Sequence, residues 1–535
     1  VCRGTWEGRE VLGMKLTWDK RYITLAPIAT LVGLAFRLED PDHLLGEHDE
    51  IGITCALLPR DLPGMTIGDH HDPAGVPFPN GPIQGADVFI PLDYVIGGRD
   101  GCGKGWRMLM ESLAAGRSIS LPALSVGGAE LATRVTGAYA TIREQFGLPI
   151  GRFEGIEEPL ARIAGRTYLM NATRLVTCGA VDAGEHPAVL SAIAKAYLTE
   201  GMRACINDAM DIQAGAAICR GPNNVLLRAY TGLPISITVE GANILSRSLI
   251  IFGQGVIRGH PYALAEMDSL AANDLAAFDR ALCGHAGFFL GNAARSLGRA
   301  LCPIGCDLAR LSRFSAAFAF ASDLALLQLG GSLKRRESLS GRFADMLAWL
   351  YIASSCWKLH QDRGQPAEDA QCYRWSLDYA LWRVESALAD LVRNYPSRLG
   401  RILLRLVTLP LGCWWAAPDD RLSAHLAQSL LDGGALRERL TQDIYLPEGE
   451  ATGLCRLEEA LAQTLATEQL RTNLMSAVKA GNIDRKPAET LVARAEAAGL
   501  ISEAEASALR QAEAARRSAV QVDAFDPRTY SRLPG

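Results

Sequence analysis

Ile235-Ser236-Ile237-Thr238-Val239-Glu240-Gly241-Ala242-Asn243 sets one carboxylate in an apolar run, directly before a glycine and a stretch containing Ile244, Leu245, Leu249 and Ile250 that predicts a helix. Apolar neighbours disfavour the charged form of a carboxyl group and raise its pKa toward the range of a general base. The glycine lets a ligand approach the backbone closely. The same pattern also describes a carboxylate that complements a helix N-terminus. On these residues alone both readings stand.

Ahead of this stretch, Trp106, Leu109 and Leu113 recur at helical spacing, and similar patterns continue to about Met267. Before Gly103 the pattern differs. Short β-type runs, Tyr22-Ile23-Thr24-Leu25, Ile51-Gly52-Ile53-Thr54-Cys55-Ala56-Leu57-Leu58 and Val88-Phe89-Ile90-Pro91, alternate with Gly/Pro/Asp/Asn clusters, which predicts a mostly antiparallel β-domain over 1–96. A helical domain over 97–267 follows. A further helical region over 268–535 is broken at Leu329-Gly330-Gly331, Arg363-Gly364-Gln365-Pro366 and Ala417-Pro418. The expected fold class is α+β, mainly α.

The 535 residues suffice for three or four domains' worth of chain, and the 49% hydrophobic and 21% charged composition is that of a folded protein. With 54 basic and 59 acidic residues the formal charge is −5, too balanced for an electrostatic nucleic-acid footprint. The 13 cysteines include no CxxC pair, which suits a reducing compartment and mostly buried thiols. Cys302 and Cys306 lie one helical turn apart with no second pair nearby and read as core residues. His70 and His71, between Asp69 and Asp72, lie in a turn-forming stretch, so no metal site is expected. No uninterrupted apolar run reaches the length of a membrane-spanning helix.

Thr238-Val239-Glu240-Gly241-Ala242-Asn243 resembles the catalytic-glutamate segment of acyl-CoA dehydrogenases, and further landmarks of that family occur in register. Lys20-Arg21-Tyr22-Ile23-Thr24 resembles the β-domain segment beside the flavin ring. Leu113-Ala114-Ala115-Gly116-Arg117 resembles the helix with an arginine near the acyl-CoA. Arg143-Glu144-Gln145-Phe146-Gly147 is similar to the segment that reaches the FAD of a neighbouring subunit, and Asp211-Ile212-Gln213-Ala214-Gly215 to the turn near the FAD diphosphate. Gly105-Trp106-Arg107-Met108-Leu109, Gly155 to Ile163 and Ile251-Phe252-Gly253-Gln254-Gly255 resemble the large bacterial fatty-acid β-oxidation members, which carry an extra C-terminal helical region. There are departures. Asp211 stands where many relatives have Gln, Ala214 and Ala217 replace glycines, and Ala242 replaces a Thr whose contacts Asn243 could rebuild. The family's N-terminal helical domain and β-domain entry segment lie before Val1, so a truncated sequence is expected.

The resemblance implies a partial β-barrel domain, a four-helix-bundle domain and an additional helical domain. It implies α,β-dehydrogenation of a medium- or long-chain fatty acyl-CoA to the trans-2-enoyl-CoA, with Glu240 as base and the flavin N5 of FAD as hydride acceptor. FAD contacts are implied for Tyr22, Ile23, Thr24, Arg143, Phe146, Asp211, Gly215, Ala242 and Asn243, and substrate contacts for Arg117 and Gly241. Electron-transfer flavoprotein is the implied electron acceptor, and a homodimer or higher oligomer the implied assembly. Read without the family, Tyr22-Ile23-Thr24 is a strand triplet, Arg117 a helix-surface charge and Arg143 the partner of a carboxylate. Two alternatives to the dehydrogenase are a non-catalytic scaffold or membrane-docking homologue and an acyl-CoA oxidase. The segment 397–415, with Arg401, Arg405, Trp414 and Trp415, reads either as an interfacial helix or as a helix of the C-terminal bundle. The implied location is the bacterial cytoplasm, peripheral on the inner membrane in the interfacial case.

Overall fold

The computed structural model describes residues 1–302, 305–431, 435–449, 453–484, 486 and 490–530. Its contacts separate two compact units, Val1–Gly116 and a second that begins at Arg117. In the first, β2 (Arg9–Thr24) follows β1 (Cys2–Trp6) and precedes the hairpin of β3 (Leu31–Glu39) and β4 (Glu50–Pro59). β5 (Met65–Ile67) and β6 (Asn80–Pro91) complete an antiparallel sheet of order β1-β2-β6-β5. Strict alternation along β2 buries Met14, Leu16 and Trp18 and exposes Lys15, Thr17 and Asp19, as a strand with one wet face requires. These residues share a core with Val32, Leu34, Ala56 and Leu58 of the hairpin. A Cβ at Gly85 would lie 2.3 Å from the Trp18 ring, so only glycine fits under that indole.

The second unit is helical, and α1 (Gly105–Ser118) carries the chain into it. α2 (Ser120–Ile142), a tight hairpin of β7 (Glu144–Gln145) and β8 (Leu148–Pro149), α3 (Glu154–Asp182) and α4 (Ala188–Gln213) come next. α5 (Gly215–Ile218), α6 (Leu226–Thr238), α7 (Asn243–Leu245) and a π-helical turn (Ser246–Gln254) follow. α8 (Gly255–Gly259), α9 (Ala263–Ala271), α10 (Leu275–Leu301), α11 (Asp307–Leu329), α12 (Glu337–Asp362), α13 (Ala370–Asn394) and α14 (Arg398–Thr408) lead to the last group. That group is α15 (Asp420–Leu431), α16 (Ala435–Leu440), α17 (Gly453–Lys479), α18 (Leu491–Ala497) and α19 (Glu503–Val520).

Small residues set the packing distances: Ala129, Ala132, Ala138 and Ala140 of α2 and Ala161, Ala164 and Ala172 of α3 are fully buried. At Gly165 a Cβ would sit 1.9 Å from the Trp375 ring, so α13 approaches α3 only over a glycine. One continuous core runs from Val126 to Leu461. The expected boundary at 267/268 falls inside α9, because helices on either side of it bury their apolar faces against each other. Phe252 of the π-helical turn stacks on Phe343 of α12 at 4.2 Å, and Arg247 pairs with Asp345. The thiols depart from expectation. Only Cys55, Cys205, Cys356 and Cys372 are buried, and Cys302 and Cys306 are exposed, where they contribute nothing to the core.

Candidate active site

α6 ends at Thr238, Val239 is extended, and the chain then turns through two left-handed residues, Glu240 (φ 54°) and Gly241 (φ 99°), before Ala242 caps α7. A non-glycine residue in this region carries backbone strain, and such strain persists only where surrounding contacts hold it. Two cations hold it here. Arg117, 5% exposed, donates from Nε to the Glu240 carbonyl at 2.7 Å. Lys195 of α4, with no exposed surface, donates to the carbonyls of Ile237 (3.0 Å) and Gly241 (2.9 Å) and to Asn243 Oδ1 (2.8 Å). A Cβ at Gly241 would meet Arg117 Nη2 at 3.0 Å, so the glycine answers both the φ and the space.

The Glu240 carboxylate is presented by this turn with Oε2 buried and without a hydrogen-bond partner. Burial pushes its pKa up, and the Arg117 and Lys195 charges pull it partly back. The apolar residues after it do not form an inward helix face. Ile244 and Leu245 are exposed while Asn243, Ser246 and Ser248 are buried; Asn243 bonds to α4, Ser248 Oγ donates to the Ile244 carbonyl, and the chain widens into a π-helix.

Other expected site residues fall out as follows. Arg117 is neither a surface charge nor free for a substrate alone, since its Nε is committed to the Glu240 carbonyl. Asn243 turns inward: Oδ1 accepts from Lys195, and Nδ2 donates to Ala196 O, Thr199 Oγ1 and Glu200 Oε1. These bonds fasten the turn to α4 and commit the Nδ2 donors, while Oδ1 accepts from Lys195. Ala242 lies beside it as the cap of α7, accepting the Ser246 N–H at 2.9 Å. In the first unit Tyr22, Ile23 and Thr24 end β2. Tyr22 is 76% exposed with its ring 5.7 Å from that of His71, whereas Ile23 packs against the core.

Arg143 caps the C-terminus of α2, and the hairpin after it closes on Phe146 (φ 53°) and Gly147 (φ 83°), the two positive-φ positions of a type I′ turn. Phe146 is 94% exposed at the tip, an apolar ring held out by a strained turn. Asp211 is exposed near the end of α4. Ala214, which breaks α4 from α5, sits at φ 49°, ψ −125°, a region glycine occupies freely. Ala214→Gly is expected to stabilise the chain by about 1 kcal/mol in a denaturant titration, and a loss of stability would contradict this reading.

Comparison with known proteins bears on what this site belongs to. Residues 103–252 match the family described as "Acyl-CoA dehydrogenase, C-terminal domain". Residues 257–525, just over half of the chain, match "Acyl-CoA dehydrogenase, C-terminal, bacterial type". The chain belongs to the acyl-CoA dehydrogenase family. It is 25% identical over 376 residues to the probable acyl-CoA dehydrogenase FadE10 of Mycobacterium tuberculosis, which covers 65% of this chain and 56% of that protein. Protein HemX of Proteus mirabilis is 54% identical over 104 residues, 19% of this chain and 61% of that protein. The chain thus spans about three fifths or less of these curated relatives. A crystal structure of an acyl-CoA dehydrogenase from Bacillus anthracis superposes with a TM-score of 0.60 at 18% identity, covering 79% of this chain and 71% of that one, which shows a shared fold.

Within this chain, Lys195 is the residue at the Glu240 turn that motif reading missed. Its signal was a single lysine within the apolar run Ala192-Ile193-Ala194-Lys195-Ala196. Elsewhere His260, His285 and Asp323 lie close enough together to suggest a cation site. The hydrogen bonds assign another role. His260 Nδ1 accepts the N–H groups of Tyr262 and Ala263, which leaves the proton on Nε2 to donate to Asp323 at 2.8 Å, and a protonated Nε2 ligates no metal.

Proposed function

We propose that this chain is the catalytic part of an FAD-dependent acyl-CoA dehydrogenase that oxidises medium- or long-chain fatty acyl-CoA in fatty-acid β-oxidation. The observation that carries the reading is the Glu240 turn, a desolvated carboxylate with an unpartnered buried oxygen, presented beside a glycine and braced by two cations. The α-proton of an acyl thioester is weakly acidic, and a carboxylate of raised pKa is matched to its removal. Glu240 Oε2 takes that proton as the α,β C=C bond forms. FAD supplies the acceptor for the hydride that leaves the β-carbon.

The residues present fit this cofactor. Tyr22 and Phe146 are large rings left open to solvent at the positions that the resemblance assigns to the flavin and to a neighbouring subunit's FAD. Asp211 would bring a like charge to a diphosphate, so the Ala214–Gly215 backbone, with open space around the Gly215 Cβ position, is the better seat. Phe146 at the hairpin tip supports a homodimer or larger assembly. Electron-transfer flavoprotein is the proposed electron acceptor. The full-length protein with bound flavin should bleach on anaerobic addition of a long-chain acyl-CoA. Bound flavin that stays oxidised would overturn the reading, absence of flavin would favour the scaffold, and peroxide formed under air would favour the oxidase.

A peripheral position on the inner membrane of a bacterial cell is part of the same proposal. In α14 the buried side is Gly400, Leu404 and Thr408, whereas Leu399, Ile402, Leu403 and Leu406 are exposed as a second stripe flanked by Arg398, Arg401 and Arg405. Trp414 is exposed as well. Trp415 packs against the core under Arg310, and Glu385 Oε2 accepts the backbone N–H groups of Trp414 and Trp415, which fixes the chain beyond α14. An exposed leucine stripe between arginines and a tryptophan is the composition of an interfacial helix. Phosphatidylglycerol vesicles should retain the protein, phosphatidylcholine vesicles should not, and Leu399→Gln with Leu406→Gln should lower retention at least about tenfold. Equal retention of parent and variant would contradict this.

A further inference from the structure

A lysine ammonium has three N–H donors, and removing it from water is costly unless all three are answered. Lys195 is buried in α4 among Ala192, Ile193, Ala196 and Leu198. All three donors go to one short segment: Ile237 O at the C-terminal end of α6, Gly241 O, and Asn243 Oδ1. Carbonyls at a helix C-terminus carry excess negative potential, so the ammonium also complements α6. Arg117 takes the carbonyl of Glu240, which lies between those two. The left-handed backbone at Glu240 is therefore held on both sides by buried cations from two different helices. A residue needed only to fill the core there would be a leucine or methionine, at far lower desolvation cost.

We propose that Lys195 is the positioning residue of this site: its ammonium fastens the 237–243 turn that presents the Glu240 carboxylate and keeps a positive charge beside it. The proposal rests on the reading of Glu240 as the base. The charged groups around the pair are few. Arg117 and Lys195 face Glu240; Arg117, Glu240 and Glu200 face Lys195. Burial and the Arg117 charge push Lys195 down to about 8, so it remains a cation at neutral pH. Its loss removes one of the two charges that favour ionised Glu240. The carboxyl group then ionises at higher pH, and the acid limb of the reaction moves up.

The test uses the full-length flavoprotein with Lys195→Met and Lys195→Arg, and Lys195→Gln as the neutral replacement should the methionine variant not fold. Two quantities are followed. One is the infrared titration of the Glu240 carboxyl, assigned by its loss in Glu240→Gln. The other is the pH profile of flavin reduction by acyl-CoA. The neutral variant should raise both midpoints by about one pH unit and lower kcat at least about tenfold, with KM little changed. Lys195→Arg, which keeps the charge and its donors, should leave the midpoints in place. A folded neutral variant with an unmoved carboxyl titration overturns the proposal and leaves the base assignment standing. A shift as large in Lys195→Arg as in the neutral variant also overturns it. If Glu240→Gln reduces flavin as fast as the parent, the base assignment itself fails, whatever the infrared titration shows.

Discussion

Glu240→Gln is expected to keep the fold and any bound flavin while slowing acyl-CoA-driven flavin bleaching by about two to four orders of magnitude, the range typical for removal of a general base. The amide is isosteric and cannot accept the α-proton. It also needs no charge support from Arg117 and Lys195, whose hydrogen bonds go to the backbone of the turn and to Asn243 and do not involve the carboxylate itself. The turn should therefore survive, and the thermal midpoint should stay close to the parent. A stopped-flow trace at saturating acyl-CoA reads the rate, and the flavin spectrum before mixing reads cofactor retention. Bleaching within about threefold of the parent would remove Glu240 from the mechanism. A variant that loses flavin altogether would show instead that the carboxylate charge is needed to build the site.

The largest expected effect on stability lies far from this turn. Arg134 of α2 and Arg437 of α16 are almost wholly buried, and both pair with Glu458 of α17. Arg134 reaches it from Nε at 3.0 Å and Nη2 at 2.8 Å, and Arg437 from Nη1 at 3.2 Å and from Nη2, with Arg437 Nη2 also donating to the Arg134 carbonyl. Glu438 adds a bond to Arg134 at 2.7 Å but is mostly solvated and counts for less. Glu458→Ala leaves two buried guanidinium groups with one exposed partner, and breaking such a group from one side typically costs about 3 to 5 kcal/mol. Denaturant titration of parent and variant measures the difference directly. A loss below about 1 kcal/mol would mean that water reaches these arginines.

The turn at Glu240 and the arginine cluster divide what could be read beforehand from what could not. The strand pattern of β2, the helical spacing from Trp106 onward and the order of the family landmarks are local or linear signals, and each was legible because side-chain periodicity follows backbone geometry residue by residue. Glu240 was legible as a candidate for the same reason, as one carboxylate in an apolar run before a glycine. Its support was not. Lys195 lies 45 residues earlier than Glu240 and Arg117 123 residues earlier, so no spacing rule connects them. Asn243 shows the limit from the other side. Its neighbourhood in the sequence suggested a ligand contact, and only the fold shows that its amide bonds to α4.

The domain boundary expected at 267/268 falls inside α9 for a related reason. Composition changes along the chain, but burial is shared in space, and α12, α13, α15 and α17 pack on α2 and α3 to make one core. By itself the sequence determined the element types, their order and the family, and it singled out the candidate carboxylate. Tertiary structure alone decided which cations brace the turn that carries it, the face of α14 left open and the burial of Arg134 and Arg437. Periodicity is a property of neighbours along the chain, whereas the energy of a buried charge depends on which distant groups the fold brings to it.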